Sequence, residues 1–253
     1  NFMESETQTK DPIKRVKLTI AFHGARYHGW QCQHVGTGVQ QIVEEALSKL
    51  YPDIPRLQSS SRTDTGVHAI GLVAHADLPL RPSTPLFRLP MTINAHLPPD
   101  IRIMDAEVVS SDFHARFHAK RKQYRYQVWN HQAMNPLLYE VAWHVPGRLD
   151  FSRMRQALER FEGTHDFRAF TNKHPYPLKD AVRTLTRIAL KKSGPALTFV
   201  IEGEGFLYKM CRNIVGVVIQ AGTGRFSLED VEGMFESGDR RDAGVTAPPQ
   251  GLT

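Results

Sequence analysis

Two kinds of hydrophobic spacing take turns along this chain, and their order leaves few folds open. Val16, Leu18, Ile20 and Phe22 alternate with polar neighbours, so Lys14 to Phe22 reads as a half-buried strand. Val39, Ile42, Val43, Ala46, Leu47 and Leu50 then recur at helical spacing and share one face. Period-two alternation returns at Ile70, Leu72, Ala74, Ala76 and Leu78. A strand with one apolar face must pair with neighbours and be covered, and an amphipathic helix in the same segment is the nearest cover.

The second half repeats the theme. Tyr124, Tyr126 and Val128 share a strand face opposite Gln123, Arg125 and Gln127. Asp150 caps a helix in which Phe151, Met154, Leu158 and Phe161 face inward, with Gly163 at its end. Leu185 to Leu190 and Leu197 to Ile201 form a hairpin around Ser193-Gly194-Pro195. Met210, Ile214, Val217, Val218 and Ala221 lie on an apolar helix that stops at Gly222, and Ser227 with Asp230 starts a last helix through Phe235. The pattern predicts an α+β protein of two related domains, with mostly antiparallel sheets flanked by helices. A polar lead-in spans residues 1–13, the first domain 14–112 and the second 113–253, and a cleft between such halves is a usual place for a site.

Three local expectations are less regular. Thr37 followed by Gln40 matches a capping box ahead of the first helix. Leu80 to Pro90 contains Pro82, Pro85 and Pro90, which predicts a short helix near Pro85 that does not run through Pro90. Ile101 to Val109 reads as a strand whose alternation slips by one residue, as at a bulge.

Bulk properties narrow the function only a little. The 253 residues are 41% hydrophobic and 23% charged, an ordinary globular balance, and no apolar run approaches the ~18 residues that span a bilayer. Asn1 to Lys10 lacks the apolar centre of a secretory signal. Two cysteines, Cys32 and Cys211, build neither a disulfide framework nor a zinc cluster, which makes a reducing cytoplasm the default setting. The net charge of +6 favours an anionic partner.

Three stretches carry possible chemistry. In Ser59 to Gly71, Arg62 and Asp64 flank Thr63, and Gly66 allows a sharp turn. The bland reading is a surface turn with a weak ion pair; the functional one is a carboxylate held charged by a guanidinium. In Asp112 to Trp129, the cations Arg116, Lys120, Arg121, Lys122 and Arg125 interleave with Phe113, Phe117, Tyr124 and Tyr126. Cations for phosphates beside aromatic faces for unstacked bases suit single-stranded RNA, whereas the plain alternative is a solvated basic loop. His114 and His118 are four apart but have no third ligand at a fitting spacing. In Gly205 to Gly216, Arg212 sits within an apolar helix, where a guanidinium either snorkels to solvent or meets an anion. Asp64 is the best candidate anion.

Several common signatures are absent: a Gly-x-Ser-x-Gly elbow, a Walker A loop, a dinucleotide fingerprint, His-Glu-x-x-His and Pro-Cys-x-x-Cys. A catalyst built from these stretches works with carboxylate, arginine and tyrosine, without metal or coenzyme.

Arg-Thr-Asp-x-Gly-Val-His at 62–68, with Thr65 where alanine is commoner, resembles the catalytic motif of the TruA family of tRNA pseudouridine synthases. Tyr27-His-Gly-Trp-Gln31, Gly163-Thr-His-Asp-Phe167 and Phe206-Leu-Tyr-x-Met-x-Arg-Asn-Ile-Val-Gly216 match that family in the same order, so the likeness runs from about Lys14 onward. It implies conversion of uridine to pseudouridine in the anticodon stem-loop of tRNA (tRNA positions 38–40), with no cofactor, by a homodimer whose paired domains resemble RNA-recognition folds. Asp64 would be the nucleophilic or general-base carboxylate and Arg212 its partner. Tyr124 would stack on the target uracil, Arg62 would help extrude the nucleotide, and Leu252 would line the base pocket. The basic residues Arg116, Lys120, Arg121 and Lys122 would bind the RNA backbone. Two departures stand out: His23-Gly24 follows the first strand where the family often has aspartate, and the family usually continues past Gly251-Leu252 into a final strand.

Two other readings remain in view. One is an RNA-binding protein without catalysis, such as a tRNA folding chaperone, although binding alone needs no paired carboxylate. The other is a carboxylate glycosidase, which typically needs a second carboxylate near the first, and the other motifs offer none.

Overall fold

The computed structural model describes residues 11–31, 35–51, 53, 56–80, 85–172 and 180–253. The polar lead-in, Cys32, Pro82 and part of Tyr51 to Pro55 therefore lie outside or partly outside the described residues. The chain divides into two compact units, one of residues 1–63 and 69–118, the other of 64–68 and 119–253. The sequence reading divides the chain near Asp112 and puts Asp64 in the first half. By contacts, the five residues 64–68 group with the second unit.

The first unit runs β1 (Ile13–Phe22), α1 (Val39–Ser48), β2 (Gln58–Ser59), β3 (Ala69–Pro79), α2 (Leu89–Asn94) and β4 (Ile101–Val108). Its four strands lie in the order β2-β3-β1-β4, every pairing antiparallel. Val16, Leu18 and Ile20 are fully buried with Val39, Val43 and Leu47 of α1, as the alternating and helical periods require. Each such side chain contributes about 1.5–3 kcal/mol relative to exposure.

Three local expectations change here, and the expected bulge in the last strand is present. The cap of α1 is Gly38 without a side-chain bond, because Gln40 spends its amide on Glu44 and on the Leu57 carbonyl instead of reaching back to Thr37. Pro90 does not end a helix. It sits in the first turn of α2, where its missing N–H would have no partner anyway, after a single 3-10 turn at Leu86–Arg88. The slip in β4 is a bulge: Thr19 pairs with Asp105 and Ile20 with Ile103, leaving Met104 as the extra residue. Ile70 is 65% exposed, since a register shift between Ile20 and Phe22 starts the inward face of β3 at Leu72.

His75 of β3 is almost fully buried and accepts a hydrogen bond at Nδ1 from the Ala115 N–H at 3.2 Å. Arg15 of β1, bound bidentately to Asp77, and the His114 ring 4.9 Å away face it. Burial first, then the charge of Arg15, lowers its pKa from the ordinary value near 6.5. Between that value and the lower folded one, the unfolded chain holds a proton that the folded chain refuses, so stability falls as pH drops below about 6.5. The melting temperature should therefore decline more steeply in acid for the wild type than for His75→Gln. Parallel pH profiles would contradict this.

The second unit runs β5 (Lys122–Trp129), β6 (Trp143–His144), α3 (Phe151–Glu159), β7 (Gly163–Asp166), β8 (Val182–Ser193), β9 (Ala196–Gly203), α4 (Met210–Gly222) and α5 (Leu228–Ser237). The sheet order is β6-β5-β9-β8-β7, antiparallel apart from the short β5/β6 pair. The mixed α+β architecture with mostly antiparallel sheets is thus as the patterning predicts. Asp150 accepts from the Arg153 N–H as the cap of α3, and Ser227 with Asp230 closes a reciprocal box on α5. Gly163 opens β7 instead of closing α3. The β8–β9 turn falls at Gly194-Pro195, between the paired Ser193 and Ala196.

All thirteen residues of α4 are buried, so no face of it is left for solvent. Its polar side chains Arg212, Asn213 and Gln220 bind residues 240–247. Asn213 Oδ1 accepts from Arg240 Nη2 and Thr246 Oγ1, and Gln220 Oε1 accepts from the Val245 N–H. Gly216 admits the Val245 carbonyl, which a Cβ there would meet at 1.9 Å. Among the described residues, no helix is long and apolar enough to cross a membrane.

Candidate active site

The segment 64–68 is fastened at every residue but Thr65. Asp64 accepts at its carbonyl from the Val67 N–H, closing a turn in which Gly66 has φ +80°. A side chain at Gly66 would be strained at that angle, and its Cβ would lie 3.1 Å from Pro249. Val67 is buried in the core of the second unit. The His68 N–H donates to the Leu252 carbonyl at 3.0 Å, and His68 Nε2 lies 3.0 Å from the carbonyls of Glu140 and Gln250. Carbonyls only accept, so that nitrogen carries the proton.

Arg212 meets this turn from the first turn of α4. Its Nη1 donates to Asp64 Oδ2 at 2.9 Å and its Nε to the Ala247 carbonyl at 2.7 Å, while the Ala247 N–H donates to the Arg212 carbonyl. The fork is fixed by two acceptors at once, a geometry the planar guanidinium supplies and an ammonium does not. The Arg212 side chain is 10% exposed and that of Asp64 21%, so the cation is sealed while its carboxylate keeps an opening to solvent. Among the described residues, no hydrogen bond reaches Asp64 Oδ1. The arrangement offers one carboxylate oxygen held in place and one available to a ligand.

Around the pair, Tyr126 donates its hydroxyl to the Pro248 carbonyl at 2.6 Å, and burial pushes its pKa far up, so the phenol stays protonated. Its ring lies against Gly251, where a Cβ would come within 2.5 Å. Leu252 bridges to Tyr126, and Thr253 exchanges two 2.8 Å backbone bonds with Arg125, which lays 252–253 along β5. Tyr124 stands two residues away on the same face of β5, half-buried and edge-on to Phe206 at 4.8 Å. Cys211 neighbours Asp64, but burial and then the negative charge of Asp64 raise its pKa well above the ordinary value, making it an inert thiol.

The expected site residues thus fall into two groups. Asp64 and Arg212 are in contact, and Tyr124 and Leu252 flank Tyr126 in the same unit. Arg62 is exposed in the β2–β3 loop, ahead of Thr63, whose carbonyl accepts from the Trp30 N–H and whose buried Oγ1 has no hydrogen-bond partner. Arg116, Lys120 and Arg121 are exposed, and Lys122 opens β5 half-buried. Sequence reasoning overlooks His68, Asn213, Gln220 and Arg240, which hold the site rather than face a ligand. A usable signal is present for two of them, since Asn213 and Gln220 interrupt an apolar helix as Arg212 does. No group of three or more potential metal ligands occurs among the described residues. The Nδ1 atoms of His114 and His118 accept from backbone N–H groups.

Comparison with known proteins identifies the family to which the chain is similar. Residues 157–253 match the family model described as tRNA pseudouridine synthase. The protein named tRNA pseudouridine synthase A of Methylacidiphilum infernorum is 38% identical over 238 residues, covering 93% of this chain and 92% of its own. Its namesakes in Acetivibrio thermocellus and Bacillus licheniformis are 40% and 41% identical over 240 residues, covering 95% and 94% of this chain and 97% and 96% of theirs. With likeness of that depth over nearly the whole length, this chain belongs to the tRNA pseudouridine synthase A family.

Proposed function

We propose that this protein converts uridine to pseudouridine in the anticodon stem-loop of tRNA, with Asp64 acting on a nucleotide turned out of the stack. The observation that carries the reading is the 2.9 Å contact between Asp64 and Arg212 across 148 residues of sequence. In the reaction the bond from uracil N1 to ribose C1′ breaks, the ring turns, and a bond from C5 to C1′ forms. The proton lost at C5 is matched by one gained at N1, so nothing is consumed. The carboxylate can serve by attacking the ribose, attacking the ring, or abstracting a ribose proton.

The other roles follow from chemistry and position. Eversion costs a few kcal/mol, and stacking on Tyr124 returns about 1–3 kcal/mol. Leu252 supplies an apolar wall to the base, and Arg62 occupies the place it leaves. Arg116, Lys120, Arg121 and Lys122 contact phosphates. In this reading the protein works as a cytoplasmic homodimer, using neither metal nor coenzyme.

The test is direct. Unmodified tRNA incubated with the protein should acquire pseudouridine in the anticodon stem-loop, located by nucleotide-resolution mapping. Binding without product would favour an RNA-binding protein lacking catalysis. Product confined to other arms of the tRNA would overturn the assigned position.

A further inference from the structure

The loop of residues 112–118 in the first unit is braced by imidazole nitrogens to an unusual degree. The Ala115 N–H donates to His75 Nδ1 at 3.2 Å, and those of Arg116 and Phe117 donate to His114 Nδ1 at 3.2 and 3.4 Å. The His114 N–H donates to His118 Nδ1 at 3.3 Å, and Arg15 Nη1 holds the Phe113 carbonyl at 3.0 Å. Ala115 is the buried residue of the loop. So firm a mount would suit a side chain that must be kept in one place.

The ring it presents is Phe117, 73% exposed. One face is backed by the His114 ring, centroids 4.3 Å apart and tilted by 36°, and His114 in turn rests edge-on against His75 at 4.9 Å. The Arg116 guanidinium carbon lies 5.9 Å from the Phe117 centroid. Single exposed apolar side chains are ordinary on protein surfaces. A ring on a hydrogen-bonded backbone, with an imidazole against one side and a guanidinium nearby, is a different object.

We infer that Phe117 is a stacking platform for an unpaired base of the tRNA, distinct from the base that reacts, with Arg116 on the adjoining phosphate. The inference rests on the function proposed above and adds a second base contact to it. A duplex keeps its base faces to itself, so the partner is a single-stranded nucleotide. Charge points the same way: Arg116, Lys120, Arg121 and Lys122 stand within seven residues, against one exposed carboxylate at Asp112. Preorganisation matters because ordering a loop and its ring on binding costs entropy, and the imidazole bonds to the loop backbone lower the share that falls to the loop.

Stacking on an aromatic side chain is worth about 1–3 kcal/mol per base by alanine substitution, or roughly 5- to 150-fold in affinity. Phe117→Ala should raise the dissociation constant for tRNA by a factor in that range. Phe117→Leu should lose nearly as much, because apolar area without a π-face does not stack. Phe117→Trp should keep the affinity, and its fluorescence should be quenched by tRNA and by a single-stranded oligonucleotide but not by duplex RNA. Wild-type affinity in Phe117→Ala or Phe117→Leu, or an indole emission unmoved by RNA, would overturn the platform. So would a change in sedimenting mass on Phe117→Ala, which would assign the ring to a protein interface. Phe117→Leu, which keeps apolar bulk and loses only the ring, decides the question if the alanine variant does not fold. If the wild type makes pseudouridine and Phe117→Ala binds equally well, only the platform fails. If the wild type neither binds tRNA nor modifies it, the proposed function fails and the platform with it.

Discussion

Asp64→Asn is expected to leave tRNA binding intact and to make no measurable pseudouridine. Asparagine has the shape of aspartate and keeps an oxygen for Arg212 Nη1, so the turn, the Gly66 angle and the Val67 anchor should all persist. What it loses is the charge, and with it the ability to attack carbon or take a proton. Deleting a group of this kind typically lowers turnover by roughly 10³-fold or more. The measurement pairs single-turnover pseudouridine assays with filter binding. Turnover within tenfold of wild type would remove Asp64 from the chemistry, whatever its surroundings.

The second large effect is expected at Arg212. In Arg212→Met the Ala247 carbonyl loses its donor, at about 1–3 kcal/mol, and Asp64 loses its counter-charge. That second loss is discounted because the Asp64 side chain is partly open to solvent. Denaturant unfolding should therefore show a deficit of about 2–4 kcal/mol, together with a loss of turnover. Arg212→Lys restores the charge but cannot serve Asp64 and Ala247 together, so it should recover stability only in part. The double variant with Asp64→Asn should cost less than the sum of the two single changes, since they share one contact. Additive costs, or an Arg212→Met protein as stable as wild type, would show that the pair is not coupled.

The architecture was largely legible because period-two and helical spacings are local signals that the longer strands follow, whereas β2, β6 and β7 are too short to show a period. The Asp64–Arg212 contact was legible for another reason: a guanidinium in an apolar helix needs an anion, and the motif at 62–68 offered one. Contacts made by backbone carbonyls left no such trace. Pro248, Glu140 and Gln250 receive Tyr126 and His68 through atoms that every residue type carries, so no sequence pattern announces them. Local rules also failed where tertiary partners outbid them, as when Gln40 turned to Glu44 and Leu57 instead of capping α1. Proline misled differently, because Pro90 is forbidden inside a helix yet welcome in its first turn. The grouping of 64–68 with the second unit was hidden for a simpler reason, since it depends on contacts with residues far along the chain.

That grouping has a consequence for how the molecule is made. During synthesis Val67 emerges long before the rest of the core in which it is buried, and Asp64 waits through 148 further residues for its guanidinium. Such distant closures are entropically slow and are made late. If Asp64 and Arg212 are the catalytic pair proposed above, a growing polypeptide lacks that pair until α4 has been made.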